Sequence, residues 1–271
     1  YTFVNVAVGK YTISFEKLNG YVFALNNQTD PERNSKPDLN TGQTSLMDFT
    51  VQQPYLNIDA GYVLSGRIGD MVWLDLNGNG FFQSGEPGIA NIKIKLFTSD
   101  GILADSTTTG NQSGGEFTGF YQFQNVRPGT YYVKFEIPSN YIISPSFVGG
   151  EDNDSNITDA NGPMTSDVFT LEVNQDIRNM DAGAFLPAQL GDRVWNDINE
   201  NGAQDDGEPG VSGISVNLFS QSGQLLASTV TDAQGFYYFN GLRQRLYYLQ
   251  FSLLNGFIFT LQNASGSTMT D

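Results

Sequence analysis

Two stretches of this chain carry oxygen-bearing side chains at a spacing that suits a hard metal ion. The first holds Asp75, Asn77, Asn79, Gly80, Phe81, Gln83 and Glu86. The second holds Asp197, Asn199, Asn201, Gly202, Ala203, Asp205 and Glu208. With the leading Asp as position 1, each stretch has ligand types at positions 1, 3, 5, 7, 9 and 12 and Gly at position 6, the spacing of an EF-hand calcium loop. Calcium takes about six to eight oxygens. Side chains at positions 1, 3 and 5 turn inward, and Gly at 6 permits the sharp bend. Position 7 lends its carbonyl, so its side chain is free to be Phe81 in one loop and Ala203 in the other. Position 9 often acts through water, and Glu86 or Glu208 closes the site with both carboxylate oxygens. A polar turn rich in Asn, Asp and Gly needs no metal. Two matches at one place in a repeat favour Ca2+ over that plainer reading.

Composition narrows the chemistry further. The chain has 271 residues and neither His nor Cys. It therefore lacks the usual general base, the commonest transition-metal ligand, any thiol nucleophile and any disulfide framework. The 29 acidic residues against 13 basic ones give a formal net charge of −16. Such a surface repels phosphate backbones and anionic headgroups, which excludes nucleic acid and direct membrane binding as partners and favours cations. No apolar run reaches the roughly 20 residues that a membrane helix needs. Carboxylate pairs serve glycosidases, but the regularly spaced acids here are already accounted for by the loops. No enzymatic activity is expected.

The loops are parts of a longer internal repeat. Asp197 lies 122 residues after Asp75, each loop follows a Gly-Asp-x-Val-Trp strand ending in Trp73 or Trp195, and each runs on to Gly-Glu-Pro-Gly, at Gly85–Gly88 and Gly207–Gly210. A Tyr/Phe block followed by a second aromatic strand occurs three times, beginning at Tyr1, Tyr121 and Tyr237. An Asn-x-Asp-Ala-Gly block closes at Gly61 and Gly183. The expected organisation is residues 1–63 as the later part of a first repeat, 64–187 as a complete repeat and 188–271 as the earlier part of a third. The chain is thus expected to be an excerpt of a longer array.

The elements that must hold these loops read as strands. Tyr131 to Ile137 and Ile92 to Phe97 alternate apolar and polar residues with period two and are rich in aromatic and β-branched types. Gly, Asn, Asp and Pro punctuate them at short intervals. The 39% hydrophobic content supplies a buried core. Trp73 and Trp195 are read as core residues rather than a sugar-stacking platform. Pro-Gly after each closing Glu opposes an exiting helix, so the sites are expected to be strand–loop–strand and structural. Leu186-Pro187-Ala188 leaves little slack between repeats, which implies limited bending.

A second acidic stretch, Glu151, Asp152, Asn153, Asp154, Ser155 and Asn156 with Asp159, has Asp30, Glu32, Asn34 and Asp38 as its earlier counterpart. It fits either a further calcium site or a solvated loop. The five Asn-x-Ser/Thr sequons, at Asn27, Asn111, Asn153, Asn156 and Asn263, are incidental in so Asn-rich a chain, although exposed ones could take sugar.

The ordered blocks together resemble the B-type repeats of serine-aspartate repeat surface proteins, which are relatives of the collagen-adhesin B-type domains. The resemblance spans essentially the whole chain. It implies an all-β fold of tandem immunoglobulin-like or prealbumin-like β-sandwich repeats with calcium loops. It also implies calcium-dependent rigidity and extracellular display, on a bacterial cell surface or in a secreted filament. No serine-aspartate run occurs here, and Leu186-Pro187-Ala188-Gln189 lacks the Thr-Gly of a wall-sorting signal. Some collagen-adhesin relatives carry a Lys–Asn isopeptide bond. Lys93 and Lys95 have Ser215 and Asn217 as counterparts, so a shared cross-link is not supported.

The expected role is a calcium-stabilised stalk or filament shaft in adhesion. Its partners would be neighbouring repeats of the same chain, a homo-oligomeric filament and a host or prey surface ligand. A directly binding adhesin domain and an accessory module of a secreted enzyme are the competing readings. The first loop offers carboxylates at two ligand positions, Asp75 and Glu86, and the second at three, Asp197, Asp205 and Glu208. Because ligand charge tunes affinity, calorimetric titration of single repeats should give tighter calcium binding by the second. The reverse order would reject that ranking.

Overall fold

The computed structural model describes residues 1–26, 33–50, 57–111, 117–147 and 153–262. Every helix or strand element among them is a strand. Four short strands come first: β1 (Gly9–Tyr11), β2 (Tyr21–Phe23), β3 (Met47–Phe49) and β4 (Tyr62–Leu64). Nine follow: β5 (Gly66–Leu74), β6 (Lys93–Thr98), β7 (Leu103–Thr108), β8 (Phe120–Val126), β9 (Gly129–Glu136), β10 (Ile142–Ile143), β11 (Phe169–Leu171), β12 (Asp176–Ile177) and β13 (Ala182–Phe185). The last five are β14 (Ala188–Arg193), β15 (Ser215–Ser220), β16 (Leu225–Val230), β17 (Phe236–Leu242) and β18 (Tyr247–Phe251). The chain gathers into two compact units. One comprises Tyr1–Asp75, Gly80–Pro138 and Ile143–Ala184. The other comprises Leu76–Asn79, Ser139–Ile142 and Phe185–Asp271.

In the first unit β5 is paired along both edges. It runs antiparallel to β8 on one side and parallel to β12 and then β13 on the other. A second, antiparallel sheet has the order β11-β9-β6-β7. The period-two pattern decides which side chains go inside. Tyr131, Val133 and Phe135 of β9 are buried while Thr130, Tyr132, Lys134 and Glu136 are not. Ile94 and Leu96 of β6 and Tyr121 and Phe123 of β8 are buried with them. The two sheets meet where the Tyr121 ring packs edge-on against Phe135 at 5.9 Å. This is a β-sandwich, and each such aliphatic or aromatic side chain contributes about 1.5–3 kcal/mol by leaving water.

The second unit repeats the plan. β14 pairs with β17, and β15 lies between β16 and β18. Its core is Ile214, Val216, Leu218, Tyr237 and Phe239. Tyr237 packs edge-on against Phe251 at 5.5 Å, the counterpart of Tyr121 on Phe135. Even the irregularities recur. The β5–β8 register shifts between Gly66 and Ile68, and the β14–β17 register shifts between Ala188 and Leu190. The β6–β7 and β15–β16 ladders both shift just before an outward aromatic, Phe97 or Phe219. Tyr131 and Tyr247 each donate a hydroxyl hydrogen bond of 2.8 Å to the carbonyl four residues earlier, on Arg127 and Arg243. The early strands keep the pattern too: Gly9 of β1 faces Phe49 of β3 as Gly129 of β9 faces Leu171 of β11.

Trp73 is wholly buried, as its place in the strand implied, and Trp195 is partly buried. The closing Asp-Ala-Gly block explains itself here. β13 lies alongside the end of β5, with Gly183 paired to Trp73. A Cβ on Gly183 would sit 2.6 Å from Cζ2 of that indole. Gly183→Ala must displace the largest side chain of the core. Overpacking of this kind costs about 1–3 kcal/mol, so the urea midpoint should fall accordingly. An unchanged midpoint would mean that the ring is not held against the strand.

Candidate metal centre

Each loop leaves one strand and returns beside it. At the first, Leu74 N–H donates to Pro87 O at 2.8 Å and Ile89 N–H donates to Val72 O at 2.9 Å. At the second, Asn196 N–H donates to Pro209 O and Val211 N–H to Val194 O, both at 2.9 Å. Trp73 bridges Gly88 and Trp195 bridges Gly210. The Pro-Gly pair thus forms the return leg of a clamp, through an isolated bridge rather than a full strand, and no helix among the described residues flanks either loop. A buried threonine braces each exit. Thr109 Oγ1 accepts from Ile92 N–H and donates to Ile89 O, and Thr231 Oγ1 does the same with Ile214 and Val211.

Within the first loop, Gly80 N–H donates to Asp75 Oδ2 at 2.7 Å and Asn79 N–H to Asn77 Oδ1 at 3.0 Å. Gln83 N–H donates to Glu86 Oε2 at 2.9 Å. Asp75 is fully buried and Glu86 is nearly so. The second loop repeats these bonds. Gly202 N–H donates to Asp197 Oδ2 at 2.7 Å, Asn201 N–H to Asn199 Oδ1 at 3.1 Å and Asp205 N–H to Glu208 Oε2 at 3.0 Å. Gly80 and Gly202 have φ of 85° and 79°, which L side chains rarely adopt. The turn between positions 3 and 5 is left-handed as well, with Gly78 at 65° in one loop and Glu200 at 56° in the other.

The second loop also bonds through its side chains. Asn199 and Asn201 both donate side-chain hydrogen bonds to Asp205 Oδ2, at 2.9 and 2.7 Å, and Glu208 Oε1 accepts from Ile198 N–H. The Thr260 hydroxyl donates to Asp197 Oδ2. That hydroxyl first, and then the Gly202 and Asn201 N–H groups, hold the Asp197 carboxyl below its ordinary pKa. Asn199 and then Asn201 do the same for Asp205. Sequence reasoning missed Thr260, which no repeat block marks. Ala203 and Phe81 stand at position 7, where only the carbonyl is asked for.

The donor set is wholly oxygen, from carboxylates, amides and carbonyls, which fits a hard divalent cation and not a soft one. Among the described residues, no three acidic side chains stand together as a ready-made cluster. A metal would therefore be held by Asp75, Asn77, Asn79, Phe81, Gln83 and Glu86, or by Asp197, Asn199, Asn201, Ala203, Asp205 and Glu208, with amide and carbonyl oxygens making up the number.

The second acidic stretch is described in part. Asp30, Glu32, Glu151 and Asp152 lie outside the described residues. Asn153 O accepts from Phe82 N–H at 2.8 Å, and buried Asp154 bridges Phe81. This segment is therefore laid along the first loop. Asn156 Oδ1 accepts from Asp181 N–H, and Asp181 Oδ1 accepts from Met71 N–H. Asp159 caps its own turn at Met164 N–H, and Asp38 caps Asn40 and Thr41. Lys95 forms an ion pair with Glu136 across β6 and β9.

Comparison with known proteins places this geometry. The family model described as SdrD B-like domain matches residues 66–184 and 188–271. Serine-aspartate repeat-containing protein F of Staphylococcus epidermidis is 32% identical over the whole chain, which covers 15% of that protein. Serine-aspartate repeat-containing protein D of Staphylococcus aureus (strain Newman) is 31% identical over the whole chain, 20% of its length. The chain thus spans a fifth or less of these relatives. A solved structure, the Bacillus anthracis TIE protein, aligns over 94% of this chain and 47% of its own at 16% identity, with a TM-score of 0.32. The chain belongs to the SdrD B-like domain family.

The lowered pKa values set a pH dependence. Asp197 and Asp205 are more acidic folded than unfolded, so their contribution to stability is present above the unfolded pKa and is lost as pH falls through the folded one. In chelator, the melting temperature should not respond to these two groups near neutrality and should decline in the acid range below ordinary aspartate pKa values. Thr260→Val should raise the Asp197 pKa, read by carboxyl NMR titration. An unmoved Asp197 titration would show that the hydroxyl does not act on it.

Proposed function

We propose that this SdrD B-like chain is a calcium-stabilised structural segment of a large bacterial cell-surface protein, a stiff spacer within an adhesive stalk or shaft. The reading rests on one observation above others. The same twelve-residue oxygen-rich loop, clamped by the same backbone bonds, sits at the same place in two sandwiches. A loop held shut at its base and lacking mobile flanking helices suits a static brace rather than a sensor that opens. The proposed boundaries are residues 1–63, 64–187 and 188–271, and the short connection at Leu186-Pro187-Ala188 limits bending between the last two. No helix among the described residues is long and apolar enough to cross a membrane. Kinship with serine-aspartate repeat proteins supports display outside the cell, with neighbouring repeats as the immediate partners.

A cation that binds only the folded form stabilises it by mass action, by about 2.7 kcal/mol at a hundredfold excess over the dissociation constant. Thermal unfolding of the chain should therefore rise by on the order of 10 °C when calcium replaces chelator. The double variant Asp197→Ala, Glu208→Ala should lose the share of that rise belonging to the second loop. Identical melting with calcium and with chelator would reduce both loops to polar turns and reject the calcium brace.

A further inference from the structure

The outer edges of the two second sheets differ in charge, Asp105 in one standing where Ala227 stands in the other. β7 ends its sheet in the first unit, and β16 ends its sheet in the second. Among the described residues each pairs on one side only, with β6 or β15, through the same shifted register. In β7, Asp105 Oδ1 accepts from Ser106 N–H at 2.7 Å. That N–H lies on the outer edge, because Thr109 N–H turns inward to Ile92 O and successive residues face opposite ways. β7 thus fills an edge donor with its own carboxylate and sets a charge beside the rest, a known protection against strand addition.

β16 has no such guard. The counterparts of Asp105 and Ser106 are Ala227 and Ser228, and Ala227 has no side-chain oxygen. Thr231 N–H turns inward to Ile214 O, so the backbone groups of Ser228 and Val230 face outward, up to the bulge at Leu226. In a chain of net charge −16, the strand Leu225-Leu226-Ala227-Ser228-Thr229-Val230 holds no charge, Pro or Gly. Leu225 and Val230 are 53% and 56% exposed. A row of outward N–H and C=O groups is completed by another strand, and the sequence indicates which. Antiparallel pairing centred on Ser228 sets Ala227 opposite Thr229 of a second copy, uncharged against uncharged with no charge repulsion. The same patch then serves both copies, as a two-fold contact requires.

We propose that β16 pairs with β16 of a second copy of this chain across a two-fold axis, joining the two β16–β15–β18 sheets into one. The contact would link stalks side by side, through the second unit only, and is independent of calcium binding.

Sedimentation equilibrium of the whole chain tests it. The apparent mass should rise toward twice the chain mass with concentration, and Ala227→Asp should return it to the monomer. That variant gives β16 the residue with which β7 already folds. Ser228→Cys, in a chain with no other cysteine, should form a disulfide dimer on oxidation, because facing residues of a hydrogen-bonded pair lie about 5.5 Å apart. A chain that stays monomeric at every concentration, or an Ala227→Asp chain that still dimerises, would overturn the proposal. A monomeric chain whose melting still responds to calcium would remove this contact and leave the spacer reading standing.

Discussion

The structure depends on a strand that is pinned along both edges. β5 has β8 on one side and β12 with β13 on the other, so neither its direction nor its end can drift. The loop that follows leaves from a fixed point and is tied back to it by the Leu74–Pro87 and Ile89–Val72 bonds. Twelve residues that would otherwise be a long mobile connection become a closed ring. Closing it by the sheet's own hydrogen bonds removes most of the chain entropy that a bound ion would otherwise have to offset.

That ring brings acids inward in a protein already rich in them. Asp75, Glu86 and Glu208 are buried or nearly so, and desolvating a carboxylate costs several kcal/mol unless hydrogen bonds or an opposite charge compensate. Backbone N–H groups do part of that work at Asp75 and at both glutamates. Those bonds also hold the carboxylates in place. Under the proposed function, a divalent cation would reduce the self-repulsion of the −16 surface.

The two copies show which features the fold demands and which it lets vary. Register shifts, base clamps, bracing threonines and tyrosine–carbonyl bonds recur. Position 7 changes from Phe81 to Ala203, and the left-handed turn tolerates Gly78 or Glu200. The first loop is lined by the Asn153–Asp154 segment, and the Thr260 hydroxyl reaches the second.

By itself, the sequence determined what depends on near neighbours. The loop spacing, the period-two strands and the Pro-Gly return were all legible, because turn geometry and face alternation act over a few residues. The repeat supplied the rest of the class, through identical blocks in identical order. Contacts between distant residues were decided only by the tertiary structure. Met71 N–H reaches Asp181 across 110 positions and Thr260 reaches Asp197 across 63. Trp73 settles on Gly183 because β13 comes home beside β5. Within the acidic stretch read as a second site or a loop, Asn153 and Asp154 meet the first loop and Asp159 bonds to Met164 N–H. None of these pairings has a period or a motif. Each exists because closing two sheets over one core brings together residues that have no local reason to meet.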